Sequence, residues 1–204
     1  MKDEIKVDQL KENTQKYWDE RYQNSKTDWD MNQVSPPLKI YIDSLNDKKI
    51  NILIPGCGNA YEAEYLLQCG FENVSLVDIS KTLTDKLKEK FKNNKIKIYN
   101  EDFFNHSGKY DLILEQTFFC ALYPELRRNY IDHCEKLLKQ DGKMAGVLFY
   151  KKMVGSEPPF IASYEEYMAL FSPKFTFNIL EPCTNSIAPR LGSELFFEIE
   201  KIKI

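Results

Sequence analysis

The sequence predicts an α/β fold: a mostly parallel sheet of seven strands, with helices on both faces and an antiparallel closing hairpin. Two patterns lead to this fold class. Short apolar runs alternate with segments whose apolar residues recur at helical spacing, which is typical of right-handed βαβ units in a parallel sheet. The last two apolar runs, 175–179 and 195–199, are joined without a long helical segment, which favours a hairpin over another crossover.

The predicted elements follow one another along a single domain, residues 1–204, which is long enough to bury a core. The predicted strands are 50–54, 74–77, 96–99, 110–114, 143–149, 175–179 and 195–199. The predicted helices are 15–23, 38–45, 60–69, 80–91, 124–138 and 164–171. Gly70 suits the C′ position of the third helix, and Ser80 suits the N-cap of the fourth. Asp141 and Gly142 predict a turn into the fifth strand.

The composition argues against several classes of function. The net charge is −3, and the one Lys-rich run, 81–97, carries Leu83, Leu87 and Phe91 at helical spacing, so it predicts a solvated helix face. Five cysteines without a CxxC pair indicate reduced thiols. No apolar run approaches the roughly 20 residues that span a bilayer. We expect a cytoplasmic monomer that binds no nucleic acid, no membrane and no metal.

The strand at 50–54 leads into a Pro-Gly-Cys-Gly turn that opens a helix. Glycines such as Gly56 and Gly58 occur where a ligand approaches the backbone closely. The third glycine of a dinucleotide-binding motif is absent, because Tyr61 occupies its position. The turn therefore suits a nucleoside cofactor without a phosphate, and a glycine-rich turn without any ligand is the alternative.

Asp78 ends the second strand, 20 residues after Gly58. A carboxylate at this position can accept hydrogen bonds from both hydroxyl groups of an adenosine ribose. The alternative is an acidic residue that only stabilises the N-terminus of the next helix. Position and spacing together favour the ribose contact.

Acidic, polar and aromatic residues also follow the third and fourth strands. Asp102 and Phe103 can meet the amino group and the face of an adenine, although an acidic loop with a core phenylalanine would give the same pattern. Gln116 follows the fourth strand, and ligands of open α/β sheets bind outside the carboxyl ends of the strands. Of Phe118 and Phe119, we expect one to belong to the core.

The N-terminal arm, residues 1–45, contains both tryptophans of the chain. Trp18 and Tyr22 are four residues apart and share a helix face, and Trp29 lies in the loop that follows. These aromatic residues either anchor the arm to the domain or form a lid over the cofactor. A lid excludes water, and aromatic faces attract a sulfonium cation by about 0.5–2 kcal/mol.

With these motifs the sequence resembles the thiopurine S-methyltransferase family, which includes the thiol and halide methyltransferases, over about 18–197. The resemblance is carried by W-x-x-x-Y with a following D-W-D and S-P-P-L, then L-I-P-G-C-G-N-A-Y-E, V-D-I-S, E-D-F-F and Y-D-L-I-L-E-Q-T-F-F-C-A-L-x-P-E-L-R. It implies a Rossmann-like methyltransferase fold and the cofactor S-adenosylmethionine (SAM). The cofactor-binding residues are then expected to be Trp18, Tyr22, Trp29, Gly56, Gly58, Asp78, Asp102, Phe103 and Gln116.

Two of these residues depart from the family pattern. Tyr22 stands where many relatives have Trp, and Gln116 stands where other branches have Arg or Tyr, which leaves the methyl acceptor open. The resemblance implies transfer to a small soft nucleophile: a thiol, a thiopurine or a halide. A thiolate or halide needs alignment but no strong general base, so we predict no catalytic residue. The residues expected to line the acceptor side are Asp28, Asp30, Glu115 and Arg190.

Three other functions remain open from the sequence. The first is methylation of another small molecule or of a macromolecule. The second is nicotinamide-dependent oxidoreduction, which the missing third glycine and the absence of a Tyr-x-x-x-Lys pair oppose. The third is SAM binding without catalysis.

Overall fold

The computed structural model describes residues 14–151 and 158–202. The strands are β1 Asn51–Pro55, β2 Asn73–Asp78, β3 Lys97–Asn100, β4 Tyr110–Gln116, β5 Leu138–Phe149, β6 Phe175–Pro182 and β7 Glu194–Lys201. They form one seven-stranded sheet in the order β3-β2-β1-β4-β5-β7-β6. Strands β1 to β5 pair in parallel, and β7 pairs antiparallel with β5 and with β6. The predicted fold class, including the closing hairpin, is confirmed.

Helices cover both faces of the sheet. Helix α1 occupies residues 14–23, and the others are α2 Pro36–Ser44, α3 Tyr61–Gln68, α4 Lys81–Lys90, α5 Phe118–Ala121, α6 Arg127–Leu137 and α7 Tyr164–Phe171. Short 3₁₀ helices occur at Phe103–Asn105, Pro124–Leu126 and Ala188–Arg190. Ser80 is the N-cap of α4, as predicted, and its side chain accepts a hydrogen bond from the amide of Leu83. Within the described ranges, no helix combines the length and apolarity needed to cross a membrane.

Alternation along the strands divides the core between the two faces of the sheet. Ile52 and Ile54 of β1 pack in one cluster with apolar residues of α2, α3 and α4. Leu53 points the other way, into a second cluster with residues of α6 and α7. Because each fully buried aliphatic side chain contributes about 1.5–3 kcal/mol, this two-sided packing fixes the strand ends in place.

The connection between α6 and β5 differs from the prediction. Leu138, predicted to end a helix, begins β5 and pairs with Tyr110, and the register then shifts before Leu112. The predicted turn at Asp141 and Gly142 is wrong, because this stretch is an irregular part of β5. A Cβ on Gly142 would lie 2.9 Å from the carbonyl oxygen of Tyr110, so the close approach of β4 explains the glycine. Helix α5 was not predicted, since four residues are too few to show a helical period.

Candidate active site

A cavity of about 330 Å³ lies at the carboxyl ends of β1, β2 and β4. Strand β1 has β2 on one side and β4 on the other, so the strand order reverses at this point. Open α/β sheets bind ligands at such a switch point. The lining includes every residue that the sequence predicts to bind the cofactor: Trp18, Tyr22, Trp29, Gly56, Gly58, Asp78, Asp102, Phe103 and Gln116.

The glycines after β1 have two different structural roles. Gly56 and Gly58 have φ angles of +53° and +52°, in the left-handed region that residues with a Cβ rarely adopt. A Cβ on Gly56 would lie 2.2 Å from Cδ2 of Phe118, so Gly56 allows the turn to pack against α5. A Cβ on Gly58 would meet only the Tyr22 hydroxyl, at 3.6 Å. Gly58 therefore keeps this part of the cavity open.

Asp78 is held in one orientation by backbone amides. Its Oδ1 accepts a hydrogen bond from the amide of Ser80 at 2.9 Å, and its Oδ2 accepts one from the amide of Gly58 at 3.4 Å. The carboxyl group is buried, and burial raises its pKa to about 6, although the amides of Ser80, Gly58 and Ile79 act in the opposite direction. Each carboxylate oxygen keeps a lone pair that these amides do not use. Both oxygens can therefore accept a hydrogen bond from a ligand hydroxyl.

The residues after β3 and β4 form another part of the lining. Phe103 is buried and packs edge-to-face on Phe118, with ring centroids 5.5 Å apart. Phe118 lines the cavity, whereas Phe119 is fully buried in the core, as expected for one of the two. The Oε1 atom of Gln116 is buried and has no hydrogen-bond partner among the described residues. A buried carbonyl oxygen of this kind suits a ligand that donates a hydrogen bond.

The lid segment, residues 14–30, places its aromatic rings against the cavity. Trp18 and Trp29 meet edge-to-face with centroids 5.2 Å apart, and Tyr22 meets Trp29 in the same way at 5.8 Å. All three rings line the cavity. The guanidinium of Arg21 lies over Trp29 at 5.3 Å from the ring centroid. The rings therefore anchor the segment and also border the cavity, and a lid over a cofactor stays a prediction.

Three of the four residues predicted for the acceptor side line the cavity: Asp28, Asp30 and Arg190. Asp30 accepts hydrogen bonds from the side chains of Asn59 and Tyr61. Arg190 is buried, donates to the carbonyl oxygen of Trp29, and pairs with Glu194 at 3.2 Å. These contacts join the end of the lid segment to the glycine turn and to the loop before β7.

The fourth predicted acceptor-side residue, Glu115, does not line the cavity. Its carboxylate is fully buried on the side of the sheet that α6 covers, where it accepts hydrogen bonds from the Tyr130 hydroxyl and the Phe119 amide. Burial raises its pKa to about 7, with these hydrogen bonds acting against the shift. The prediction for Glu115 is wrong because neighbouring residues of a strand face opposite sides, and Gln116 is the one that reaches the cavity.

Sequence reasoning missed several lining residues. Glu62 lies in the first turn of α3, is buried in the lining, and accepts a hydrogen bond from the amide of Ser35 at 2.9 Å. Its place in the string N-A-Y-E was the available signal. Pro158 and Pro159 border the cavity from a loop, and no local sequence pattern indicates that contact.

Acidic side chains outnumber basic ones in the cavity wall. The carboxylates in the lining belong to Asp28, Asp30, Glu62, Asp78, Glu101 and Asp102. Arg190 is the one basic residue in the described part of that lining. SAM carries a sulfonium and an ammonium group against a single carboxylate, so an acidic wall fits its net positive charge. The charge of the wall, the amide-held Asp78 carboxylate and the unpartnered Gln116 oxygen are all consistent with this cofactor.

Comparisons with known proteins agree with the geometry. Residues 13–194 match the model of the family described as thiopurine S-methyltransferase. The chain is 31% identical to a probable thiol methyltransferase 2 of Arabidopsis thaliana over 193 residues, which cover 91% of this chain and 84% of that protein. It is 28% identical to thiocyanate methyltransferase 1 of Brassica oleracea, with coverage of 91% and 84%.

A solved structure shares the fold at low sequence identity. The 1,6-didemethyltoxoflavin-N1-methyltransferase of Burkholderia thailandensis, solved with S-adenosylhomocysteine, superposes with a TM-score of 0.75 at 16% identity. The match covers 93% of this chain and 87% of that one. At this identity the likeness shows the fold alone.

Proposed function

We propose that this chain, which belongs to the thiopurine S-methyltransferase family and is a SAM-dependent methyltransferase, methylates a small thiol that it binds as the thiolate. Small sulfur nucleophiles are the class of acceptor that the family indicates. The observation that carries the proposal is the cavity at the strand ends, which joins a nucleoside-binding edge to an aromatic wall.

Backbone-held groups at the ends of β1 and β2 would bind the nucleoside part of the cofactor. Asp78 would accept hydrogen bonds from the ribose hydroxyls, and the turn at Gly56 and Gly58 would lie against the cofactor. Asp102 and Phe103 would border the adenine. Gln116 would accept a hydrogen bond from a cofactor donor, because its buried oxygen has none from the described residues.

The lid segment and the loop before β7 would border the acceptor. Trp18 and Trp29 line the cavity, and aromatic rings can stabilise a sulfonium cation without reacting with it. Asp28, Asp30 and Arg190 lie on the same side. Arg190 pairs with Glu194, and its bond to the Trp29 carbonyl oxygen holds the lid segment in place.

Bound SAM supplies a methyl group on a sulfonium centre. The chain's own residues hold the acceptor sulfur in line, exclude water and balance charge. A free thiol has a pKa of about 8.5, so a useful fraction is already ionised near neutral pH and no residue has to remove the proton during transfer. The rate is therefore expected to rise with pH until the acceptor thiol is fully ionised.

The test is the release of S-adenosylhomocysteine from SAM with a panel of acceptors: bisulfide, a simple aromatic thiol, a thiopurine and iodide. We expect turnover with at least one sulfur acceptor, and the pH dependence of its rate should follow the pKa of that acceptor. Asp78→Ala serves as the inactive control.

Two results would contradict the proposal. Binding of SAM without turnover on any acceptor would favour a SAM-binding protein without catalysis, or an acceptor of another class. A pH profile that stays the same when the acceptor pKa changes would argue for a residue that removes the proton. A cytoplasmic monomer remains part of the proposal, and the free thiols of all five cysteines support a reducing compartment.

A further inference from the structure

Helix α1 of the lid segment is attached to the N-terminus of α4 by the Asp19 carboxylate and by the side chain of Gln23, which donates to the Thr82 hydroxyl at 3.3 Å. Oδ1 of Asp19 accepts hydrogen bonds from the Ser80 hydroxyl at 2.8 Å and from the Thr82 amide at 2.9 Å. Oδ2 of the same residue accepts one from the Gln23 side chain at 2.8 Å. Asp19 thus makes most of the hydrogen bonds between α1 and an element that follows it by some 60 residues.

Ser80 connects this contact to the proposed ribose site. Its hydroxyl donates to Asp19 and also accepts from the Leu83 amide, which caps α4. Its own amide donates to Oδ1 of Asp78. Ser80 is fully buried, and its bond to Asp19 is partly buried. The same residue therefore fixes the Asp78 carboxylate on one side and the lid segment on the other.

The charge of Asp19 strengthens the attachment. Burial alone would raise its pKa, but the hydrogen bonds from Thr82, Ser80 and Gln23 outweigh burial and lower the pKa below its ordinary value. The carboxylate is therefore ionised at neutral pH. A negative charge at the N-terminus of a helix is favoured by the helix dipole, and hydrogen bonds to a charged group are stronger than those to a neutral group.

We propose that Asp19 is a positioning residue that couples docking of the lid segment to cofactor binding through Ser80. The inference rests on the proposed assignment of Asp78 to the cofactor. Thermodynamic coupling is reciprocal, so a bound cofactor tightens the docking of α1, and loss of the Asp19 contact weakens cofactor binding. The far end of the lid segment keeps its own contacts, from Arg190 to Trp29 and from Asn59 to Asp30. Loss of Asp19 therefore frees α1 and its Trp18 more than Trp29.

The test compares Asp19→Ala with Glu20→Ala and Asp19→Asn in the full chain. Glu20 is the matched control, because it is an exposed acid on the same helix whose ion pair with Lys16 spans 3.9 Å at the surface. Calorimetry would give the SAM affinity of each variant. Both tryptophans of the chain lie in the lid segment, so quenching of tryptophan fluorescence by acrylamide reports lid docking directly, with or without SAM.

We expect Asp19→Ala to weaken SAM binding about tenfold, equivalent to about 1.4 kcal/mol, and to raise KM for SAM with a smaller change in kcat. Glu20→Ala should change neither by more than about twofold, since surface ion pairs contribute little. Asp19→Asn keeps an oxygen acceptor without the charge, so it should restore part of the affinity. Acrylamide should quench Asp19→Ala more than the parent protein even without SAM, and added SAM should reduce that quenching.

Equal SAM affinity and equal quenching in Asp19→Ala and Glu20→Ala would overturn the inference. An affinity loss without any change in quenching would also overturn it, because the lid segment would not be the intermediary. If the parent protein itself fails to bind SAM, the proposed function fails instead, and quenching of the ligand-free variants still decides whether Asp19 docks the lid segment. Thermal melting of each variant separates these results from a loss of fold.

Discussion

Two buried carboxylates, near the carboxyl ends of β2 and β4, have different surroundings. Asp78 ends β2 and Glu115 lies near the end of β4, both are buried, and burial raises the pKa to about 6 for Asp78 and to about 7 for Glu115. Asp78 is held by backbone amides and lines the cavity. Glu115 is held by the Tyr130 hydroxyl and the Phe119 amide within the core.

The difference teaches that burial and a raised pKa do not identify a ligand-binding carboxylate. What separates the two is the direction of the side chain and the lone pairs that remain for a ligand. The amides around Asp78 fix its orientation without enclosing it, whereas the Tyr130 ring and the α6 core enclose Glu115. Substitutions of Asp78 and of Glu115 should therefore have very different effects on cofactor binding.

The largest effect is expected for Asp78→Ala. The variant loses the acceptors for two ligand hydroxyls, and because each charge-assisted bond contributes about 1.5–3 kcal/mol, SAM affinity should fall by more than about 100-fold. Calorimetry measures it directly. Asp85→Ala is the control, since Asp85 is an exposed acid on α4 that pairs with Lys81. Unchanged affinity in Asp78→Ala would remove this residue from the cofactor site.

The second-largest effect is expected in the glycine turn after β1, which lies beside Asp78. Gly56→Ala places a Cβ against Phe118 in a left-handed backbone, so it combines steric conflict with strain. Gly70→Ala is a matched control, because Gly70 has a φ of +85° with nothing within 4 Å of the added Cβ. We expect the control to lose about 1 kcal/mol of unfolding free energy from strain alone and Gly56→Ala to lose about 3 kcal/mol.

Denaturant unfolding of both glycine variants provides the measurement. Equal losses would show that the Phe118 contact adds nothing and that the turn is not packed against α5. A double variant that also shortens Phe118 to Ala should lose less than the sum of the two single changes, because the added methyl group would enter space that the ring has left.

Gln116 follows Glu115 on β4 and, unlike Glu115, lines the cavity. Its buried oxygen lacks a partner among the described residues and faces the cavity, so Gln116→Ala should lower SAM affinity about tenfold. The acceptor KM should change less than the SAM affinity, because the atom without a partner is the oxygen, which accepts a hydrogen bond, while only the Nε2 group could donate one to a thiolate. A change confined to the acceptor KM would move Gln116 from the cofactor side to the acceptor side.

The cofactor edge of the site was predictable because local sequence determines it. A strand, a glycine turn and an acid at the next strand end place Gly56, Gly58 and Asp78 together in any parallel sheet with this strand order. The same logic gave the N-cap Ser80 and the closing hairpin. These elements need no knowledge of distant contacts.

The acceptor side was harder to predict because distant segments build it. Arg190 reaches the carbonyl oxygen of Trp29 across 161 positions of sequence, and Pro158 and Pro159 arrive from a separate loop. Glu115 shows the remaining limit, because an acid near a strand end can face either side of the sheet. A shift of one residue along the strand turns a side chain to the other face of the sheet. The face that Glu115 takes could be decided only from the pairing of β4 with β5.

The smallest effect on binding is expected for Glu115→Gln, which completes the comparison. The amide can still accept from the Phe119 amide and can donate to the Tyr130 oxygen, so both contacts survive without the buried charge. SAM affinity and turnover should stay within about twofold of the parent, because the side chain lies outside the cavity lining. Calorimetry and the acceptor assay measure the two quantities.

The same variant should change the pH dependence of stability in a defined direction. The pKa of Glu115 is about 7 in the folded protein against a model value of 4.5, so the fold favours the protonated form. Its contribution to stability is therefore present below pH 4.5 and is lost as pH rises to about 7. Glu115→Gln avoids that loss and should be more stable than the parent at pH 8 by about 1–3 kcal/mol, with a smaller difference at pH 5. If Glu115→Gln loses turnover while keeping its stability, Glu115 takes part in the reaction and the prediction is wrong.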